Sequence, residues 1–195
     1  MSQHGVNTSR RTFLIGATTG VAVVGVGAAA VPFVQSWQPS ARAENAGAPV
    51  KVDVSQLSPG ERVTANWRGR PVWVLRRTDA MLNSLDQVRD QLRDPESDED
   101  QQPEYARNQY RAIKSEYLVV IGICTHLGCS PSYVPDGSSN LEYSGFFCPC
   151  HNSKFDIAGR VYQGVPAPTN LVVPPHSYLS DDVVIIGSEE GETTA

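Results

Sequence analysis

The sequence predicts a mainly β domain carried behind one N-terminal membrane-spanning helix. Three observations point there. An uncharged stretch runs from Phe13 to Val34. Beyond residue 50, short runs of alternating apolar and polar residues recur, the pattern of half-buried strands. Within this β-rich part, all four cysteines fall between 124 and 150, interleaved with two histidines.

The apolar stretch has 22 residues. As a helix it is about 33 Å long, enough to cross a hydrocarbon core of about 30 Å. Arg10-Arg11 stands immediately before it, and a twin arginine leading into an apolar run is the mark of the Tat export route for folded proteins. Residues 1–12 are therefore read as a cytoplasmic N-terminus and 13–34 as a retained anchor, since signal-peptide cores are shorter, about 7–15 residues. Arginines on the N-terminal side place the main domain on the far side of the membrane. Cleavage after the A-x-A pattern Ala41-Arg42-Ala43 is the competing reading. Residues 35–50 form a hinge linker; small and polar residues, two prolines and one glycine fill 38–50.

Residues 51–187 make the main domain. Val50, Val52 and Val54 alternate with polar neighbours, and further strands are predicted at Arg62–Asn66, Arg70–Arg77, Glu116–Ile123, Glu142–Phe147 and Asp182–Ile186. A turn near Arg68-Gly69 joins the second and third. Leu82, Leu85, Val88 and Leu92 recur at helical spacing, so a helix is predicted over Asp79–Arg93 with Asp79 as its N-cap. Asp94–Pro103 reads as a solvated acidic loop and Glu104–Ala112 as a second short helix. Residues 188–195 form a polar tail. The net charge of −5 comes from an acidic main domain, because residues 1–43 contain three arginines and no acid. That balance argues against nucleic acid as a partner.

Two blocks carry the chemistry: Cys124-Thr125-His126-Leu127-Gly128-Cys129 and Cys148-Pro149-Cys150-His151-Asn152-Ser153-Lys154-Phe155-Asp156. Each offers thiol and imidazole ligands within one tight loop, a combination that suits iron or zinc. Cys2His2 sets also hold structural zinc, and zinc stays open on ligand type alone. Against it stand the order Cys-x-His then Cys-x-x-His, the extra cysteine in each block, and an export signal suited to a preloaded cofactor.

The blocks resemble the motifs of the Rieske iron–sulfur family, Cys-Thr-His-Leu-Gly-Cys and Cys-Pro-Cys-His-Gly-Ser. The resemblance implies a Rieske-type antiparallel β-sandwich with a helix–loop insertion, its cluster-binding part at about 116–175. It implies one [2Fe–2S] cluster, with Cys124 and Cys148 on one iron, His126 and His151 on the other, and a Cys129–Cys150 disulfide between the loops. Ser153 matches a serine that donates to the cluster, and Leu127 covers the tip unless it is ordinary packing. Phe155 stands where many relatives have a donating tyrosine, and Asn152 replaces a glycine. Gly164-Val165-Pro166-Ala167-Pro168 is similar to a shielding loop, or else is a rigid turn.

The whole chain is similar to the iron–sulfur subunit of bacterial cytochrome bc complexes. That implies His151 as the group bonding ubiquinol and taking its proton, with cytochrome b and a membrane-bound c-type cytochrome as partners in a dimeric complex of the bacterial inner membrane. The small subunit of an arsenite-oxidase-like enzyme, or an anchored periplasmic electron carrier, is the alternative.

Overall fold

A computed structural model describes residues 7–40, 47–135 and 144–188 of the chain. It divides into two units, Met1–Asn45 and Ala46–Ala195. The A-x-A site at 41–43, the middle of the linker, residues Glu142 and Tyr143 of one predicted strand, and most of the tail lie outside the described residues.

The first unit is one helix, α1 (Thr8–Gln35), of 28 residues, about 42 Å at 1.5 Å per residue. It starts five residues earlier than the apolar run, because Asn7 caps it: the Asn7 side chain accepts from the Arg10 backbone N–H. The twin arginines therefore lie in its first turn. None of its residues is buried in the protein, and it is long and apolar enough to cross a membrane.

Among its described residues, the second unit contains nine strands in three antiparallel sheets. The strands are β1 (Val50–Asp53), β2 (Arg62–Trp67), β3 (Arg70–Arg76), β4 (Tyr117–Ile121), β5 (Ser132–Val134), β6 (Gly145–Cys148), β7 (Ser153–Asp156), β8 (His176–Ser180) and β9 (Val183–Ile186). The sheet orders are β1-β9-β8, β2-β3-β4 and β5-β6-β7. The β2–β3 hairpin turns through Arg68 (φ 51°) and Gly69 (φ 71°). Two consecutive positive φ angles match the right-handed twist of the flanking strands.

The middle sheet is buried on both faces, and side-chain alternation explains how. Val72 and Val74 of β3, with Tyr117, Val119 and Ile121 of β4, join Val52, Val184 and Ile186 of the first sheet in one core. Trp73, Leu75, Leu118 and Val120 point the other way, into a second core with Phe146, Cys148 and Phe155 of the third sheet. The sandwich expectation holds, with one sheet shared between two apolar layers. The second core also takes in Cys124, so the site sits against a close-packed wall.

The insertion between β3 and β4 departs from its sequence reading. Helix α2 spans Asp79–Gln87, capped by Thr78, whose side chain accepts from the Met81 N–H at 3.2 Å; Asp79 is its first helical residue. The apolar periodicity continues past Gln87, but the chain does not stay helical. After a 3-10 turn at Arg89–Gln91, Leu92 is extended and bridges to Tyr162. Tertiary pairing overrides the helical period there. The second helix reduces to a 3-10 turn at Glu104–Ala106. Asn108 explains why: its amide donates to the Tyr105 and Ala112 carbonyls and accepts from the Tyr110 N–H, bonds that compete with a helix. The acidic loop is only partly solvated. Glu96, Asp98, Glu99 and Asp100 are exposed, but Asp94, Ser97 and Gln102 are buried. Strands β5, β7 and β8 were not foreseen; each is too short to show a period.

Candidate metal centre

Two loops of the same design meet at one end of the third sheet. The first follows β4 and carries Cys124, His126 and Cys129; the second leaves β6 at Cys148 and carries Cys150 and His151. In the first, the Gly128 N–H donates to the Cys124 carbonyl at 3.0 Å; in the second, the Asn152 N–H donates to the Cys148 carbonyl at 3.0 Å. Each donor lies four residues after its cysteine and has positive φ, 84° at Gly128 and 61° at Asn152. Asn152 thus adopts the left-handed conformation that asparagine tolerates better than most residues. The disulfide Cys129–Cys150 joins the two loops, with its Cα atoms 6.7 Å apart.

The four expected ligands fall into two pairs on the two loops, Cys124 with Cys148 and His126 with His151. Cys124 and Cys148 are free thiols, 3% and 2% exposed, in hydrogen-bond contact with each other. Burial pushes the Cys124 thiol up, and the adjoining Cys148 adds to that; the His126 N–H and the Ser153 hydroxyl donate to its sulfur and oppose it. The imidazoles of His126 and His151 stand edge to face with centroids 4.7 Å apart. His126 Nδ1 is buried with no partner. A buried thiol pair beside an unclaimed ring nitrogen is a poor arrangement for a metal-free core and a good one for a metal group. The sulfurs of Cys129, Cys148 and Cys150 also lie within 4.8 Å of one another, but Cys129 and Cys150 form the disulfide, so Cys148 is the free thiol of the three.

The surrounding residues divide by location. Ser153 is fully buried, and its hydroxyl accepts from the Ala167 N–H at 3.0 Å, which leaves its own proton to donate toward the site. This bond ties the Gly164–Pro168 loop to the centre, more than a rigid turn requires. Leu127 is 71% exposed. That exposure argues against ordinary packing, and Leu127 directly follows the expected ligand His126. Phe155 is fully buried in the core that contains Cys124 and Cys148. Sequence reasoning missed Thr125, whose hydroxyl donates to the Thr169 carbonyl at 2.7 Å and holds the first ligand loop to the segment after the proline-rich loop. A lone threonine between two ligands carries no signal of such a partner.

Residues 49–175 match the family described as the Rieske [2Fe-2S] domain, and residues 1–40 match "Ubiquitinol-cytochrome C reductase Fe-S subunit TAT signal". Among curated proteins, the chain is 54% identical over 195 residues to the ubiquinol–cytochrome c reductase iron–sulfur subunit of Allochromatium vinosum, covering 98% of this chain and 94% of that protein. It is 42% identical over 189 residues to the subunit of the same name from Rhodospirillum rubrum, covering 95% and 96%. Among solved structures, a chain of a hyperthermophilic respiratory Complex III shares the fold, with a TM-score of 0.50, 24% identity, and 87% and 97% coverage of this chain and that one.

Fold, donor set and matches together define an iron–sulfur protein of the Rieske class, whose cofactor is one [2Fe–2S] cluster. Within that class, the chain belongs to the family of ubiquinol–cytochrome c reductase iron–sulfur subunits.

Proposed function

We propose that this chain takes one electron and one proton from ubiquinol bound in cytochrome b and delivers the electron to a membrane-bound c-type cytochrome. The observation that carries the reading is the pairing of two buried thiols and of two imidazoles across loops that one disulfide clasps. Cys124 and Cys148 would hold one iron, and His126 and His151 the other. When bound, the cluster supplies a one-electron acceptor in the range of roughly −150 to +300 mV, since two neutral imidazoles replace two thiolates.

The chain's own residues do the rest. His151 is exposed and His126 partly so, and each ring has a second nitrogen free of the metal. The outer nitrogen of His151 is the group that bonds the quinol hydroxyl and accepts its proton, because a neutral imidazole offers a lone pair there at an exposed position. Exposed Leu127 offers an apolar contact for the partner's quinol pocket. Ser153, held by the Ala167 N–H, donates toward the sulfurs and favours the more negative reduced state. The disulfide keeps both loops in register while docking partners change, and it suits an oxidising compartment.

The match of residues 1–40 and the apolar helix α1 support an exported, membrane-anchored subunit. We place its N-terminus in the cytoplasm, its anchor in the bacterial inner membrane and its cluster domain in the periplasm, within a dimeric complex. The 35–50 segment serves as the tether on which the domain swings between cytochrome b and the c-type cytochrome. Purification from native membranes through a tag on this chain tests the assignment. Co-purification of b and c haems with a rhombic signal from the reduced iron is the expected result. The signal without haems favours a carrier or an arsenite-oxidase-like partner, and zinc in place of iron ends the proposal.

A further inference from the structure

The insertion between β3 and β4 sends a cationic side chain into the wall behind the metal centre. Arg111 is fully buried. Its Nη1 donates to the carbonyls of Ala158 and Gly159, both at 3.3 Å, and its Nη2 donates to Gln102 Oε1 at 2.9 Å and the Leu171 carbonyl at 2.7 Å. None of these four acceptors carries a formal charge. The nearby carboxylates are engaged elsewhere. Asp156 pairs with Arg160 at 2.7 Å and accepts the Ala158 and Arg160 N–H groups. The Asp94 oxygens accept from the Asp98 and Glu99 N–H groups and from Asn170. Burial pushes the Arg111 guanidinium down to about 10, which leaves it a cation at neutral pH.

This cation shares an apolar medium with the centre. Ala158 and Leu171 belong to the same core as Cys124 and Cys148. The Thr125 hydroxyl, between two ligand positions, is bonded to the Thr169 carbonyl at 2.7 Å, and Arg111 is bonded to the Leu171 carbonyl two residues further on. Two residues of chain reach at most about 7 Å, so the Arg111 head lies within roughly 13 Å of Thr125. At an effective dielectric constant of about 20, a unit charge at that distance changes a one-electron equilibrium by about tenfold.

We propose that Arg111 sets the reduction potential of the cluster: its buried positive charge, hydrogen-bonded only to neutral acceptors, favours the reduced, more negative form. This rests on the assignment of Cys124, His126, Cys148 and His151 as ligands, and it makes Arg111 a tuning residue that touches neither iron nor quinol. The competing role is a mechanical clasp holding the insertion to the segments at Ala158–Gly159 and Leu171.

The two roles separate in the full chain within its membrane complex, with the midpoint potential read by redox titration of the electron-spin signal. Arg111→Met and Arg111→Gln remove the charge; Arg111→Lys keeps it but loses the forked clasp. The neutral variants should shift the equilibrium about tenfold toward the oxidised form, a fall of about 59 mV for one electron, while Arg111→Lys stays close to the parent chain. The shift should persist at high salt, because buried charges are little screened. Unchanged potential in either neutral variant overturns the proposal, as does an equal fall in Arg111→Lys. Arg111→Gln retains a donor for the carbonyls and keeps the test open should Arg111→Met not fold. A parent chain with no rhombic signal would instead overturn the ligand assignment.

Discussion

At the scale of the residue, one hydroxyl and one missing hydroxyl bear on the potential. Ser153 donates into the site from a position fixed by the Ala167 N–H. A hydrogen bond to a charged group contributes about 1.5–3 kcal/mol. Ser153→Ala should therefore lower the midpoint potential by roughly 60–120 mV at 59 mV per tenfold, which a redox titration reads directly. Phe155 supplies no donor from its buried position, so Phe155→Tyr should raise the potential by a shift of the same order; a titration with no rise removes Phe155 from the account. A third residue concerns pH. His176 is buried with Nδ1 against the Pro174 carbonyl at 2.9 Å. Desolvation holds it below the ordinary value of 6.5, and the Pro174 bond opposes this only in part. The sign follows from proton counting. Below pH 6.5 the unfolded chain binds a proton that the folded chain refuses, so stability falls as pH falls, until the lowered folded value is reached. The slope is at most about 1.4 kcal/mol per pH unit. Denaturant midpoints measured against pH should lose that component in His176→Gln.

At the scale of the element, the insertion acts as a buttress for the cluster loops. It docks through buried polar groups: Arg111 onto carbonyls, Asp94 onto Asn170, and Arg160 onto the Leu85 and Pro95 carbonyls from the other side. The Asp156–Arg160 pair anchors the chain just after β7, the strand that begins at Ser153. Removing one partner strands a buried charge, so Asp156→Ala should cost about 3–5 kcal/mol. The cost should appear in thermal unfolding together with earlier loss of the iron signal, because the same strand carries Ser153. Replacing both partners with apolar residues of similar volume should cost less than either single change.

At the scale of the whole molecule, an anchor helix and a cluster domain are joined by a short polar segment. In the proposed mechanism that segment is the tether on which the domain meets two partners in turn. Replacing Ala41, Ala43 and Ala46 with proline stiffens it. The expected outcome is a severalfold fall in steady-state cytochrome c reduction with an unchanged midpoint potential. Turnover equal to that of the parent chain would remove the swing from the mechanism.

The sequence by itself determined the family that the two cysteine–histidine motifs mark, the apolar helix and the strands of the doubly buried middle sheet. Each of these is written locally, as ligand type and spacing or as a run of apolar side chains with a clear period. It did not determine where α2 stops, since Leu92 keeps the helical period yet pairs with Tyr162 instead. Nor did it reveal β5, β7 and β8, which are three to five residues long and too short to display a period. Asp94 read as part of a solvated acidic loop and Arg111 as part of a short helix. Only the folded chain turns them inward, because their partners at Asn170, Leu171 and Ala158 lie some 50 to 75 residues away and become neighbours through packing alone.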